Sequence, residues 1–166
     1  MLDPLYNDNA ELNTMHTSTA PATMPPIADL LPHRAPMVLL DSITRWDGQS
    51  IHCQTRSHLL PDNPLRETGV LSVFAGVEYA GQAMAAHARL LQSEAAEATP
   101  RKGFIAVASK LAPQVDTLDS ITAPMHIEAH MLAHNSDSSL YAFRLSADGQ
   151  ALLTGQLTAV TISDDQ

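Results

Sequence analysis

Residues 73–91, Val-Phe-Ala-Gly-Val-Glu-Tyr-Ala-Gly-Gln-Ala-Met-Ala-Ala-His-Ala-Arg-Leu-Leu, are mostly small and apolar with one carboxylate among them, and any fold for this chain must find cover for them. Val73, Val77, Ala80, Met84, Ala88 and Leu91 step by three or four residues, the spacing of a buried helical stripe. The remaining faces are nearly as apolar, so the helix is expected at the centre of the fold. Glu78 and Gln82 lie four apart and share a neighbouring face. A carboxylate amid so little polarity loses hydration, which favours its neutral form, the state a general acid needs near neutral pH. Because Glu is rarely fully buried, the other reading places Glu78 at the helix edge, in water or beside an arginine.

A chain of 166 residues with 45% hydrophobic content is enough for one domain with a real core and short for two. Glu78, Gln82, His87 and Arg89 interrupt the helix before the roughly 20 apolar residues that a membrane span requires. No basic stretch followed by an apolar run opens the chain, so export is not expected and a cytoplasmic location is. Cys53, the single cysteine, lies in an alternating, strand-like segment and reads as a small core residue in a reducing compartment. A formal net charge of −9, with basic residues scattered apart from Arg101-Lys102, argues against a nucleic-acid partner.

Residues 1–26 are polar, end in Pro21, Pro25 and Pro26, and lack periodicity; they read as a disordered leader, with Met24 a candidate start, ahead of one domain over 27–163. A helical turn is expected near Ile27–Leu31. Strands are expected over Met37–Trp46 and Ser50–Ser57, joined by a turn at Asp47-Gly48. A loop with Pro61 and Pro64 leads into the long helix, which should end before Pro100. Four more strands follow over Gly103–Ser109, Met125–Ala133, Ser139–Ser146 and Ala151–Ile162, with turns at Asn135–Ser139 and Asp148-Gly149. Two strands, one long helix and a run of antiparallel strands describe an α+β domain whose sheet wraps a central helix.

The segment Leu30-Leu-Pro-His-Arg-Ala-Pro-Met-Val-Leu-Leu-Asp41 resembles the motif LLPHRxPFLLVD of the 3-hydroxyacyl-acyl-carrier-protein dehydratases, a hot-dog-fold family. Glu78-Tyr-Ala-Gly-Gln82-Ala83 keeps the Glu, Gln and Ala of that family's helix motif E-A-M-A-Q-A at the same offsets. With weaker similarity from Phe104 to Ile162, the likeness spans roughly residues 27–162. The chain is more similar still to the divergent dehydratase-like subunits of aryl-polyene synthesis, which pair P-H-x-x-P-M-x-L-L-D with a G-x-E-Y-x-x-Q helix. The resemblance implies an antiparallel hot-dog sheet around one central helix and pantetheine-linked acyl substrates on acyl carrier protein. It further implies assembly as a homodimer, or as a heterodimer with a second hot-dog subunit, with active sites at the interface. Glu78 is then the catalytic acid, and Gln82 a residue at the substrate.

One departure matters. The dehydratases carry a catalytic histidine in G-H-F-P-G fourteen residues before the glutamate, where this chain has Pro64. The nearest histidine, His58, stands twenty residues before Glu78 and is a candidate replacement; the other source of a base is the partner subunit. Elimination of water from a 3-hydroxyacyl thioester needs a base at C2 and an acid at C3 but no cofactor. A backbone N–H at the helix start would hold the developing enolate charge, with Gly69 and Val70 as candidate donors. Non-catalytic partnership and thioesterase activity are the rival functions. His126, Glu128 and His130 alternate on one strand with a spacing that can hold a metal, but a solvent-facing polar stripe gives the same pattern and no metal is expected. His33 reads as structural, and His87 as pointing away from the site.

Overall fold

The computed structural model describes residues 24–94 and 102–162; most of the expected leader, the residues after Glu94 up to Arg101, and the end of the expected domain lie outside the described residues. After a turn of helix, α1 (Ile27–Leu30), come strands β1 (Ser42–Trp46) and β2 (Ser50–Thr55), the long helix α2 (Gly76–Glu94), and strands β3 (Lys102–Pro113), β4 (Met125–His134), β5 (Ser138–Ala147) and β6 (Gln150–Ile162). The strands form one antiparallel sheet in the order β1-β2-β4-β5-β6-β3, and α2 packs against it through β2, β3, β4 and β5.

The hairpin turns follow from their residues. Asp47 Oδ1 accepts the N–H groups of Gln49 and Ser50, each at 2.8 Å, and Asn135 Oδ1 accepts those of Asp137 and Ser138, each at 2.9 Å. Asp148 and Gly149 take φ values of 50° and 76°, the left-handed pair of a tight two-residue hairpin. Inward-facing residues of the strands, including Ile51, Cys53, Met125, Ile127, Leu145, Leu153 and Leu157, form the core under α2.

Two expectations change. The stretch Met37–Asp41 does not join the sheet as part of β1; side chains satisfy much of its backbone, as described below. The buried face of α2 is also turned from the expected stripe: Tyr79, Ala80, Ala83, Met84, Ala86, His87 and Leu90 are buried, whereas Val77 and Leu91 are half-buried and Ala88 is exposed. With alanine and glycine on every face, spacing leaves the phase open. Tyr79 and His87 settle it, because each buries a large ring and finds a partner for its polar tip inside.

Candidate active site

Glu78 occupies the first turn of α2 and its side chain is exposed. This corrects the expectation of a carboxylate embedded in the core of the chain and agrees with the helix-edge reading. Its neighbours along that face, Gly81 and Ala85, are half-buried, and beyond them Ala88 is exposed. The Cδ1 atom of Ile105 on β3 is the nearest side-chain atom to the open side of Gly81. The face of the helix that the described residues leave open therefore adjoins β3, one of the two edge strands of the sheet, where Phe104 and Val107 are 55% and 52% exposed. Val70 and Phe74 add exposed apolar surface just ahead of the helix. Glu78 thus stands on an apolar surface that the described residues leave open.

Gln82, one turn later, is buried with both ends of its amide engaged: Oε1 accepts from Leu39 N–H at 2.9 Å and Nε2 donates to the Met37 carbonyl at 2.6 Å. This residue, expected at the substrate, holds the chain's own leading segment. The same segment is held from β2, since Thr55 Oγ1 and Ser57 Oγ both donate to the Leu39 carbonyl, at 2.6 and 2.7 Å. Ser57 also bonds the Tyr79 hydroxyl at 2.7 Å, and Asn63 Nδ2 donates to that hydroxyl at 3.0 Å and to the Ser57 carbonyl at 2.9 Å. This buried network fastens the loop after β2 to the residue that follows Glu78. Burial pushes the Tyr79 hydroxyl's pKa up, so it stays a neutral donor.

His58 lies in a 3-10 turn, Ser57–Leu59, and is 1% exposed. Its Nε2 is 3.0 Å from the Ala123 carbonyl, which can only accept, so that nitrogen carries the proton. Nδ1 is buried with no hydrogen-bond partner among the described residues. Burial lowers the pKa of the ring, and the neighbouring carbonyls oppose that shift. The structure does not bring this imidazole to the exposed surface that carries Glu78; the chain has closed over it. Arg66 holds the loop in this state by donating to the carbonyls of His58, Leu60 and Gly69 at 2.8, 2.9 and 3.2 Å and pairing with Asp119. Arg66, Asp119 and Asn63 were not legible as site residues, since they act through backbone groups that a sequence pattern does not show.

Of the two expected backbone donors, Val70 is already engaged and Gly69 lies in a turn. Val70 N–H donates to the Glu67 carbonyl at 3.0 Å and Glu67 N–H to the Val70 carbonyl at 2.9 Å, closing a two-residue turn in which Thr68 and Gly69 have φ values of 50° and 79°. Gly69 is thus the tip of a turn well upstream of α2, and Val70 has no free N–H for a thioester. Between the turn and the helix, Leu71 N–H goes to Asp119 Oδ2 at 2.9 Å, Val73 N–H to the Asp116 carbonyl at 3.0 Å and Phe74 N–H to Ser72 Oγ at 3.2 Å.

The remaining candidates lie elsewhere. His126, Glu128 and His130 alternate on the exposed face of β4, where Glu128 Oε1 is 3.7 Å from His52 Nδ1 and His52 Nε2 is 3.0 Å from Arg45 Nη2. Among the described residues, no group of three or more His, Cys, Asp and Glu side chains is placed to hold a metal. His87 is buried on the side of α2 away from Glu78, with Nδ1 2.6 Å from the Tyr141 hydroxyl and Nε2 2.8 Å from the Asp47 carbonyl. Cys53 is buried in the core, which pushes its thiol pKa up to about 12 and leaves it unreactive. Among the described residues, no helix is long and apolar enough to cross a membrane.

Comparison with known proteins places this arrangement. The family model described as ApeP-like, ApeP dehydratase, matches residues 25–166. Among solved structures, the dehydratase heterocomplex ApeI:P from Xenorhabdus doucetiae matches with a TM-score of 0.76 at 23% identity, over 86% of this chain and 94% of that one. A homologue of HP0420 from Helicobacter felis matches with a TM-score of 0.60 at 12% identity, over 87% of this chain and 95% of that one. A hypothetical thioesterase from Streptococcus pneumoniae, solved with coenzyme A, gives 0.54 at 9% identity, over 74% and 85% of the two chains. These likenesses show the hot-dog fold. No match is found among curated proteins.

Proposed function

Because this chain belongs to the ApeP-like dehydratase family, we propose that it is the acid-bearing subunit of a mixed hot-dog pair that eliminates water from 3-hydroxyacyl groups bound through pantetheine to an acyl carrier protein. The observation that carries this reading is the contrast between two side chains: Glu78 stands on an apolar surface that the described residues leave open, whereas His58 is buried with its ring against the Ala123 carbonyl. A second hot-dog chain placed over that surface would enclose Glu78 and could bring a histidine to it. In the reaction, the partner's base takes the proton from C2, the electron pair forms the C2–C3 double bond, and Glu78 in its acid form gives a proton to the departing C3 hydroxyl. Water leaves, and the enoyl thioester remains on its carrier.

The test is mass spectrometry of 3-hydroxyacyl carrier protein after incubation with the chain alone and with a hot-dog partner of the G-H-F-P-G type. The chain alone is expected to be nearly inactive and the mixed pair to form enoyl carrier protein. Glu78→Gln, which keeps the shape and removes the transferable proton, should slow the mixed pair by roughly two to four orders of magnitude. Near-normal turnover by that variant would return the chain to a non-catalytic partner. A homodimer that dehydrates unaided and stops with His58→Ala would make His58 the base. Release of free acid as the main product would favour a thioesterase, a reading that draws only on likeness of fold.

A further inference from the structure

The loop that buries His58 is gathered by one guanidinium, which is linked through Asp119 to the segment leading into the helix that bears Glu78. The Arg66 side chain, 13% exposed, donates to the carbonyls of His58, Leu60 and Gly69 and pairs with the Asp119 carboxylate. Arg66 also holds the Asp119 carboxyl below the usual carboxylate range, so this partner stays charged. Asp119 passes the connection on: its other oxygen accepts Leu71 N–H at 2.9 Å. Beside it, Leu118 N–H donates to the Leu71 carbonyl at 2.8 Å, Ser72 bridges to Thr117, and Val73 N–H donates to the Asp116 carbonyl at 3.0 Å. Residues 71–73 are thereby laid against 116–118. Ser72 then caps the 3-10 turn Val73–Ala75, which runs directly into α2 and the first turn that holds Glu78.

Resting on the reading of Glu78 as the proton donor, we propose that Arg66, acting through Asp119, is a positioning residue for Glu78. The loop that does not present a base in this chain braces the acid. A planar guanidinium suits the task, because it meets three carbonyls and a carboxylate from fixed directions, which a lysine ammonium cannot reproduce. Proton transfer tolerates little displacement, and a misplacement of about 1 Å can cost about 100-fold in rate.

The experiment uses the mixed pair turning over 3-hydroxyacyl carrier protein, with Arg66→Lys, Arg66→Met and Asp119→Asn compared with Glu78→Gln. Assembled complexes of Arg66→Met and Asp119→Asn should lose about 10- to 100-fold in kcat with KM within about twofold, and Arg66→Lys should lie between them and the native chain. If Asp119 acts through Glu78, Asp119→Asn added to Glu78→Gln should cost little beyond Glu78→Gln alone; a loop that only stabilises the fold would add its full loss. Should Arg66→Met fail to assemble, Asp119→Asn and Arg66→Lys carry the test. Native kcat in these variants, a change confined to KM, or full additivity in the double variant would overturn the positioning role. Near-normal turnover by Glu78→Gln would instead overturn the assignment of the acid itself.

Discussion

His87 shows how one buried side chain makes the whole fold sensitive to acid. The Asp47 carbonyl fixes the proton on Nε2, so neutral Nδ1 accepts from the Tyr141 hydroxyl, whose own pKa burial has raised to about 12. Protonating Nδ1 would oppose two donors at 2.6 Å. Burial is the main reason the His87 pKa lies below its ordinary 6.5; the Asp47 carbonyl and carboxylate pull it back up and His130 pushes it further down. His52 and His58 are lowered as well, each chiefly by burial. The unfolded chain therefore binds more protons than the folded one below about pH 6.5, and the stability these rings lend at higher pH is lost as pH falls from there toward their folded values. Urea midpoints should be lower at pH 5.5 than at 7.5, and His87→Gln, which cannot titrate, should narrow that gap. An unchanged gap would show that His87 binds its proton equally in both states. At this scale the inert Cys53 was legible in the sequence, which offered water at the helix edge as one of two surroundings for Glu78; the choice between them depends on helix phase, which the pattern of small residues leaves open.

The elements were legible where turn chemistry and alternation agree. Asp47-Gly48, Asn135 and Asp148-Gly149 mark the hairpins, and the strands between them fall where alternating residues predict. The leading segment misled because Met37–Asp41 has a strand's composition, while Gln82, Thr55 and Ser57 hold its backbone in place of a ladder. The phase of α2 was illegible for the opposite reason, too many small residues on too many faces. Glycine marks where that helix meets the sheet: a Cβ on Gly76 would lie 2.6 Å from Leu145 Cδ2 and 2.9 Å from Leu153 Cδ2, both in the core. On Gly81 it would meet only Ile105, a side chain on an exposed edge that can turn away. Gly76→Ala should therefore destabilise the chain by about 1–3 kcal/mol. Gly81→Ala should stay close to neutral, since relief of the glycine penalty in a helix, about 1 kcal/mol, offsets the adjustment. Thermal melts of the two variants should separate clearly; equal melts would mean that the core yields as easily as the edge.

The whole molecule has an acidic charge balance and an apolar sheet edge. β3, like β1, is an edge of the sheet among the described residues, and Phe104, Ile105 and Val107 are exposed along it beside the open face of α2. An apolar strand with unpaired backbone groups invites another chain, and natural sheets seldom leave such an edge uncovered. Phe104→Asp should leave the circular dichroism of the chain unchanged while weakening assembly with a partner at least tenfold in size-exclusion or sedimentation measurements; undiminished assembly would place the interface elsewhere. The exposure of Glu78 has a consequence for descent. Among the described residues the core contains no contact that depends on residue 78, so on the reading of Glu78 as the acid a single substitution there would turn such a subunit into a pure scaffold, or restore its chemistry, without disturbing its shape. Selection on folding bears on that position only weakly, through a carboxylate's favourable place in the first turn of a helix. Within a lineage of such chains, the carboxylate should vanish wherever the reaction ceases to matter, while Tyr79 and Gln82 beside it remain.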